Sequence, residues 1–122
     1  MNIQNIKFKA KRLDGKGWVI GDLLHSYENG AIIVPIEGGG AFSVDPSTIC
    51  QFTGLKDCDG NEIWEGDIIS SPHFERVATV KWDDSLCGFK CSDVTGNINF
   101  IFEAIAHCSE WSIIGNKFDK EK

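Results

Sequence analysis

Apolar residues along the chain fall in short bursts separated by clusters of Gly, Asp, Asn and Ser, rather than at helical spacing. The bursts are rich in Ile, Val, Phe and Trp, side chains that pack well on a pleated, half-buried surface. This pattern predicts strands over residues 3–9, 17–23, 31–36, 76–82, 88–91, 97–101 and 111–114, and over 42–52 with a break. In the run Ile6-Lys7-Phe8-Lys9 the two-residue period places Ile6 and Phe8 on one face and the lysines on the other. Asp14-Gly15-Lys16-Gly17 supplies a turn, and Gly38, Gly39 and Gly40 close the third strand. Inside 42–52, Asp45-Pro46-Ser47-Thr48 reads as a single helical turn, with Asp45 capping and Pro46 at its first position. The one expected helix is short, over 102–107, where Glu103, Ala104 and Ala106 favour it. The fold class is mainly β, with additional N-terminal strands and at most one or two short helical turns.

The central segment, residues 51–69, is the most informative. Two apolar stretches flank Asp57 to Asn61, and Asp59-Gly60 is a strong hairpin signal because Gly accepts positive φ. Asp57, Asp59 and Asn61 stand at alternate positions, as in a calcium loop. The Gly and the bidentate Glu that such a loop requires are replaced by Glu62 and Ile68, so the segment reads as a turn. Glu65-Gly66-Asp67 makes a second tight turn. Short strands joined in this way suit a small barrel, which leaves few free edges.

Length adds that the chain, at 122 residues, is one domain spanning 1–122. Surface scaling allows about two-thirds of its accessible area to be buried, enough for a core without disulfides or metal. With 42% hydrophobic and 25% charged residues the chain is globular, and no apolar run reaches membrane-spanning length. The N-terminal residues lack the apolar region of a signal peptide, so the expected location is the cytoplasm. Five cysteines, an odd number, then read as free thiols in a reducing compartment. The alternative is a zinc site from Cys87, Cys91, His107 and Cys108. The adjacent His107–Cys108 pair fits structural zinc spacing poorly, so no metal is expected.

The stretch 51–69, QFTGLKDCDGNEIWEGDII, resembles the central motif of the YopX family of bacteriophage and prophage proteins. The pattern TGLKD, then Gly, Ile, an aromatic and EGDI is followed almost throughout, with Trp64 at the usual Tyr position and Cys58 in the hairpin loop. IKFKA (6–10), GWVIGDLL (17–24), VDPSTI (44–49), VKWDDSLCGF (80–89) and WSIIGNKFD (111–119) match further family segments in order. The resemblance implies a small, mainly β protein with an SH3-like β-barrel around the central motif, a phage or prophage origin, and assembly into a homo-oligomer. It brings no catalytic or ligand residues with it.

Candidate chemistry is thin. A Cys–His dyad can be drawn, for example Cys108 beside His107, but strand neighbours point to opposite faces. No phosphate loop, nucleophile elbow or zinc-protease motif occurs, so neither an enzyme nor a cofactor is expected. The net charge of −6 disfavours binding to nucleic acid, which rests on neutralising phosphates. The only basic cluster is Lys7, Lys9, Lys11 and Arg12, with the three lysines on one strand face; it carries the alternative of an accessory nucleic-acid-binding module. Four Trp and eight Phe are many for a small barrel, and Phe42, Trp64, Phe74 and Trp82 are interface candidates. Asp57, Asp59, Glu62, Glu65, Asp67, Asp83 and Asp84 could form a phosphate-mimicking acidic face, or simply a solvated one. The reading is a small oligomeric interaction protein whose partners are its own copies and a host protein, with no role at a membrane.

Overall fold

The computed structural model describes residues 3–71, 74–85, 88–93, 99–101 and 111–119, with side chains omitted at 29, 71, 74–76, 93 and 99–101. The fold is mainly β, built from antiparallel sheets, and the only helical turns among the described residues are three short 3-10 segments. The expected helix over 102–107 lies outside the described residues. The chain divides into two compact units, Met1–Phe52 and Thr53–Lys122.

In the first unit β1 (Phe8–Lys11), β2 (Trp18–His25), β3 (Ala31–Val34) and β4 (Phe42–Val44) form a meander, and the start of β5 (Cys50–Lys56) adds to the free side of β1. Ala10, Ala31, Ile33 and Val44 are buried together, packed by Phe8, Val19, Leu23 and Ile49. The inward period of β1 therefore runs through Phe8 and Ala10. The predicted strand 3–9 is displaced because Ile3–Asn5 forms a 3-10 turn, in which the Ile6 N–H bonds the Ile3 carbonyl at 3.0 Å. The turn expected at residues 14–17 joins β1 and β2, and Gly15 and Gly17 take positive φ in it. Gly21 is required for another reason: a Cβ there would lie 2.2 Å from the Val34 carbonyl oxygen, so β2 and β3 close only on a bare backbone.

The turn Pro46–Thr48 forms as read, with the Asp45 side chain accepting the Ser47 N–H at 3.0 Å. Thr48 Oγ1 then accepts the Lys11 N–H at 2.9 Å, tying this turn to β1. The outer edge of β4 also meets the end of β1. The Asp45 N–H bonds the Lys11 carbonyl, the Leu13 N–H bonds the Ser43 carbonyl, and Arg12 bridges Val44. The sheet is strongly curled, although no closed barrel is formed among the described residues.

The second unit holds the rest of β5, then β6 (Glu62–Trp64), β7 (Asp67–Ser71), β8 (Phe74–Asp83), β9 (Gly88–Asp93), β10 (Asn99–Ile101) and β11 (Ser112–Asn116). Its five-stranded sheet runs β10-β9-β8-β7-β11. Ile63, Ile69, Ala78, Val80, Cys91 and Trp111 form its core, with Leu55, Phe89 and Ile113 against them. Burying each large aliphatic side chain contributes about 1.5–3 kcal/mol. A register shift between Ile113 and Gly115 leaves Ile114 outward and 58% exposed.

Candidate functional site

The three lysines of the basic cluster share one face of the first unit as the two-residue period predicts, while Arg12, of the opposite parity, stands over Phe42, and all four cations are already engaged. The Lys9 and Lys11 ammoniums lie 4.7 and 5.4 Å from the centroid of the Trp18 ring, and Lys7 lies 4.8 Å from that of Phe52. The Arg12 guanidinium sits 4.2 Å from the Phe42 centroid and pairs with Asp14. Each lysine lays its stem along the sheet and its charge over a ring, contacts worth roughly 0.5–1 kcal/mol at partly exposed sites. Phe52 is buried, and Trp18 and Phe42 are half-buried, so these rings are covered by the protein's own cations. A base stacking on Trp18 would have to displace ammonium groups.

The four aromatic candidates have different fates. Trp64 is only 5% exposed, which corrects its reading as surplus aromatic surface: counting aromatics does not reveal which of them the core absorbs. Phe42 is half-buried beneath Arg12. The Phe74 side chain lies outside the described set. Trp82 is 43% exposed and held rigidly, since its indole N–H donates to Asp84 Oδ1 at 2.7 Å and its ring meets Phe89 edge-on at 5.2 Å. A fixed, exposed Trp loses little side-chain freedom on contact with a partner.

A surface that the sequence reading missed lies on β2. Val19 and Leu23 enter the core, so Trp18, Ile20, Asp22 and Leu24 face the other way. Ile20, Leu24 and the nearby Ile36 are 45%, 52% and 61% exposed. The signal was present in the sequence: apolar residues at 18, 19, 20, 23 and 24 occupy both parities of one strand, whereas a sheet with one wet face alternates.

The acidic candidates separate into structural and surface groups. Asp57 Oδ1 accepts the N–H groups of Asp59 and Asn61 at 2.9 and 2.8 Å, and Oδ2 accepts that of Ile113 at 3.1 Å. Burial acts to raise its pKa, but these N–H donors, with the Asn61 side chain, prevail and hold the carboxyl below the usual range. Asp67 is 3% exposed; it accepts the Trp64 N–H at 2.7 Å and the Asn116 side-chain amide at 2.9 Å. The Cys58 N–H reaches the Trp111 carbonyl, and the Lys117 N–H reaches that of Gly66. Both turns of the central motif are thus stitched to β11 through their aspartates. Asp57 and Asp67 face inward and cannot belong to an acidic surface, which corrects that part of the phosphate-mimic reading. Asp59 and Asp84 are exposed, Glu62 and Glu65 are half-buried, and Asp83 pairs with Lys90 at 2.8 Å.

Of the zinc set, Cys87, His107 and Cys108 lie outside the described residues, as does the drawn His107–Cys108 dyad. Cys91 is fully buried in the second core, and desolvation pushes its thiol up to about 12, so it stays protonated. Cys50 is buried and donates to the Thr48 carbonyl, while Cys58 is exposed beside the Ser112 hydroxyl. Among the described residues no three His, Cys, Asp or Glu side chains converge as a metal group. No helix among them is long and apolar enough to cross a membrane.

A family model described as YopX protein matches residues 7–121, which takes in both units. No curated protein matches the chain.

Proposed function

This chain belongs to the YopX protein family, and from that premise we propose that it is a non-enzymatic, oligomeric interaction protein, encoded by a phage or prophage and working in the cytoplasm of its bacterial host. The observation that carries this reading is the outward face of β2. Ile20 and Leu24 are about half exposed on a strand whose other face already fills a core. Exposed apolar surface rimmed by charged residues is the usual mark of a protein contact. Trp82, held by Asp84 and Phe89, supports a further contact with a host protein.

We read residues 1–122 as one functional domain, since the family match crosses the division between the units. We also read the SH3-like barrel as residing in the first unit rather than around the central motif. Supporting this are its strand order β4-β3-β2-β1-β5, the 3-10 turn before β5 and the return of β4 to β1.

Light scattering on the purified chain, with absorbance at 260 and 280 nm, tests the function. A nucleic-acid-free particle of several chains is expected; a monomer at every concentration refutes assembly. The second reading, an accessory nucleic-acid-binding module using Lys7, Lys9, Lys11 and Arg12, is favoured by the shared face of the three lysines alone. Charge reversal at these four positions abolishes nucleic-acid retention if that reading holds.

A further inference from the structure

We propose that the outward face of the first-unit sheet docks a second copy of this chain across a two-fold axis running along β2, an inference that rests on the interaction-protein reading above. The register fixes the layout of this face. Lys9 stands beside Ile20 and Lys11 beside Trp18 on one flank, while on the other Val34 stands beside Asp22 and Ile32 beside Leu24. Past the end of β3, Ile36 and Glu37 line a shallow recess with Lys7, Ile20 and Pro35. The face is therefore basic along β1, apolar along β2 and β3, and acidic at the Glu37 corner.

Charge selects the occupant. At net −6, two copies repel each other in most orientations. On this face a two-fold along β2 exchanges left and right, so the β1 lysines of one copy lie over the β3 flank of the other, toward its Glu37. An axis across the strands would instead set lysine against lysine, which is disfavoured. Ile20 and Leu24 lie close to the axis and meet their own counterparts, as an isologous contact requires. Asp22 lies there too, and its meeting with its own counterpart is the one repulsive element. A polynucleotide would meet Asp22 and Glu37 as repulsive groups, so a second copy fits better.

Size sets the strength. Strands spaced about 4.8 Å apart give a face of four strands roughly 15–20 Å across, and at about 3.3 Å per residue the 8-residue β2 makes it about 26 Å long, an area of roughly 400–500 Å². That is smaller than the ~800 Å² per partner of a standard stable interface. The association at this face is accordingly concentration-dependent.

Sedimentation velocity over a concentration series tests the proposal with the full-length wild type, the double variant Ile20→Lys/Leu24→Lys, and Asp22→Asn. The wild type should associate, the double variant should require at least tenfold higher concentration, and Asp22→Asn should associate several-fold more tightly. In a Cys58→Ser background, Leu24→Cys should form an interchain disulfide under copper–phenanthroline oxidation, whereas Ile114→Cys, equally exposed, should not. The cross-link decides the matter should the double variant fail to fold. If the wild type associates and the double variant does so equally, this face is not the interface, although the interaction reading stands. A wild type that never associates overturns both. Nucleic acid that co-sediments with the wild type and is lost from the double variant assigns the face to a polynucleotide and overturns the second-copy proposal.

Discussion

Removing the Asp57 carboxylate should weaken the second unit more than any ordinary turn substitution. Asp57 is 9% exposed, and its two oxygens take backbone N–H groups from Asp59, Asn61 and Ile113. In Asp57→Ala the Asp59 and Asn61 donors sit in an exposed loop and can turn to water, a loss of about 0.5–1 kcal/mol each. The Ile113 N–H belongs to a half-buried strand, and leaving it unpaired costs about 1–3 kcal/mol. The sum is about 3 kcal/mol. Asp57→Asn retains one acceptor oxygen but turns an amide NH₂ toward one set of donors, so its cost should be intermediate, about 1–2 kcal/mol. Urea unfolding followed by Trp fluorescence reads the difference, because Trp64 and Trp111 are buried in this unit. A loss below about 0.5 kcal/mol for Asp57→Ala, the range of neutral surface changes, would refute the role given to this side chain.

The pH dependence carries its own sign. The folded carboxyl titrates below its unfolded value, so the unfolded chain binds more protons in the interval between the two. The stabilisation is complete above the unfolded pKa of about 4 and is lost as pH falls through the folded one. The gap between wild type and Asp57→Asn should therefore narrow below about pH 4.

Three further outcomes follow from single contacts. Gly21→Ala drives a Cβ to within 2.2 Å of the Val34 carbonyl oxygen, so the β2–β3 pairing must open; a loss of about 2–4 kcal/mol is expected, and an unchanged melting temperature would contradict the close approach. Asn116→Ala removes the amide that donates to the buried Asp67 Oδ1 at 2.9 Å. It should cost about 2 kcal/mol in a urea titration. Thiol labelling of the native protein at pH 8 should lose a fast phase in Cys58→Ser and keep its fast phases in Cys91→Ser, since Cys58 is exposed while Cys91 is buried with its thiol pushed up to about 12.

Local chemistry was readable in the sequence and long-range pairing was not. Asp45 and Pro46 announced their turn because the cap and its N–H donor are two residues apart. Gly15 and Gly60 announced theirs because positive φ is a property of the residue itself. In the sequence the aspartates of TGLKD and EGD read as turn formers or as part of an acidic face, because their decisive partners, Ile113 and Asn116, lie 56 and 49 positions away. Trp64 reads as an interface candidate in the sequence because aromatic content says nothing about which ring the core takes. The β2 face is harder to read for a related reason: the strand is apolar on both sides, so its pattern does not say which side the core takes. The lysine face was read correctly as a face, while the rings beneath its cations depend on the register of β1 with β2 and β5, which no local pattern specifies.

The account stands most directly on whether the chain assembles with itself, without metal or nucleic acid. Native mass spectrometry of the wild type, purified without chelator, reads subunit number, metal and nucleic acid in one spectrum. A homo-oligomer whose mass is a whole multiple of the bare chain is the predicted result. A monomer at all concentrations, or a particle carrying bound oligonucleotide, would contradict it.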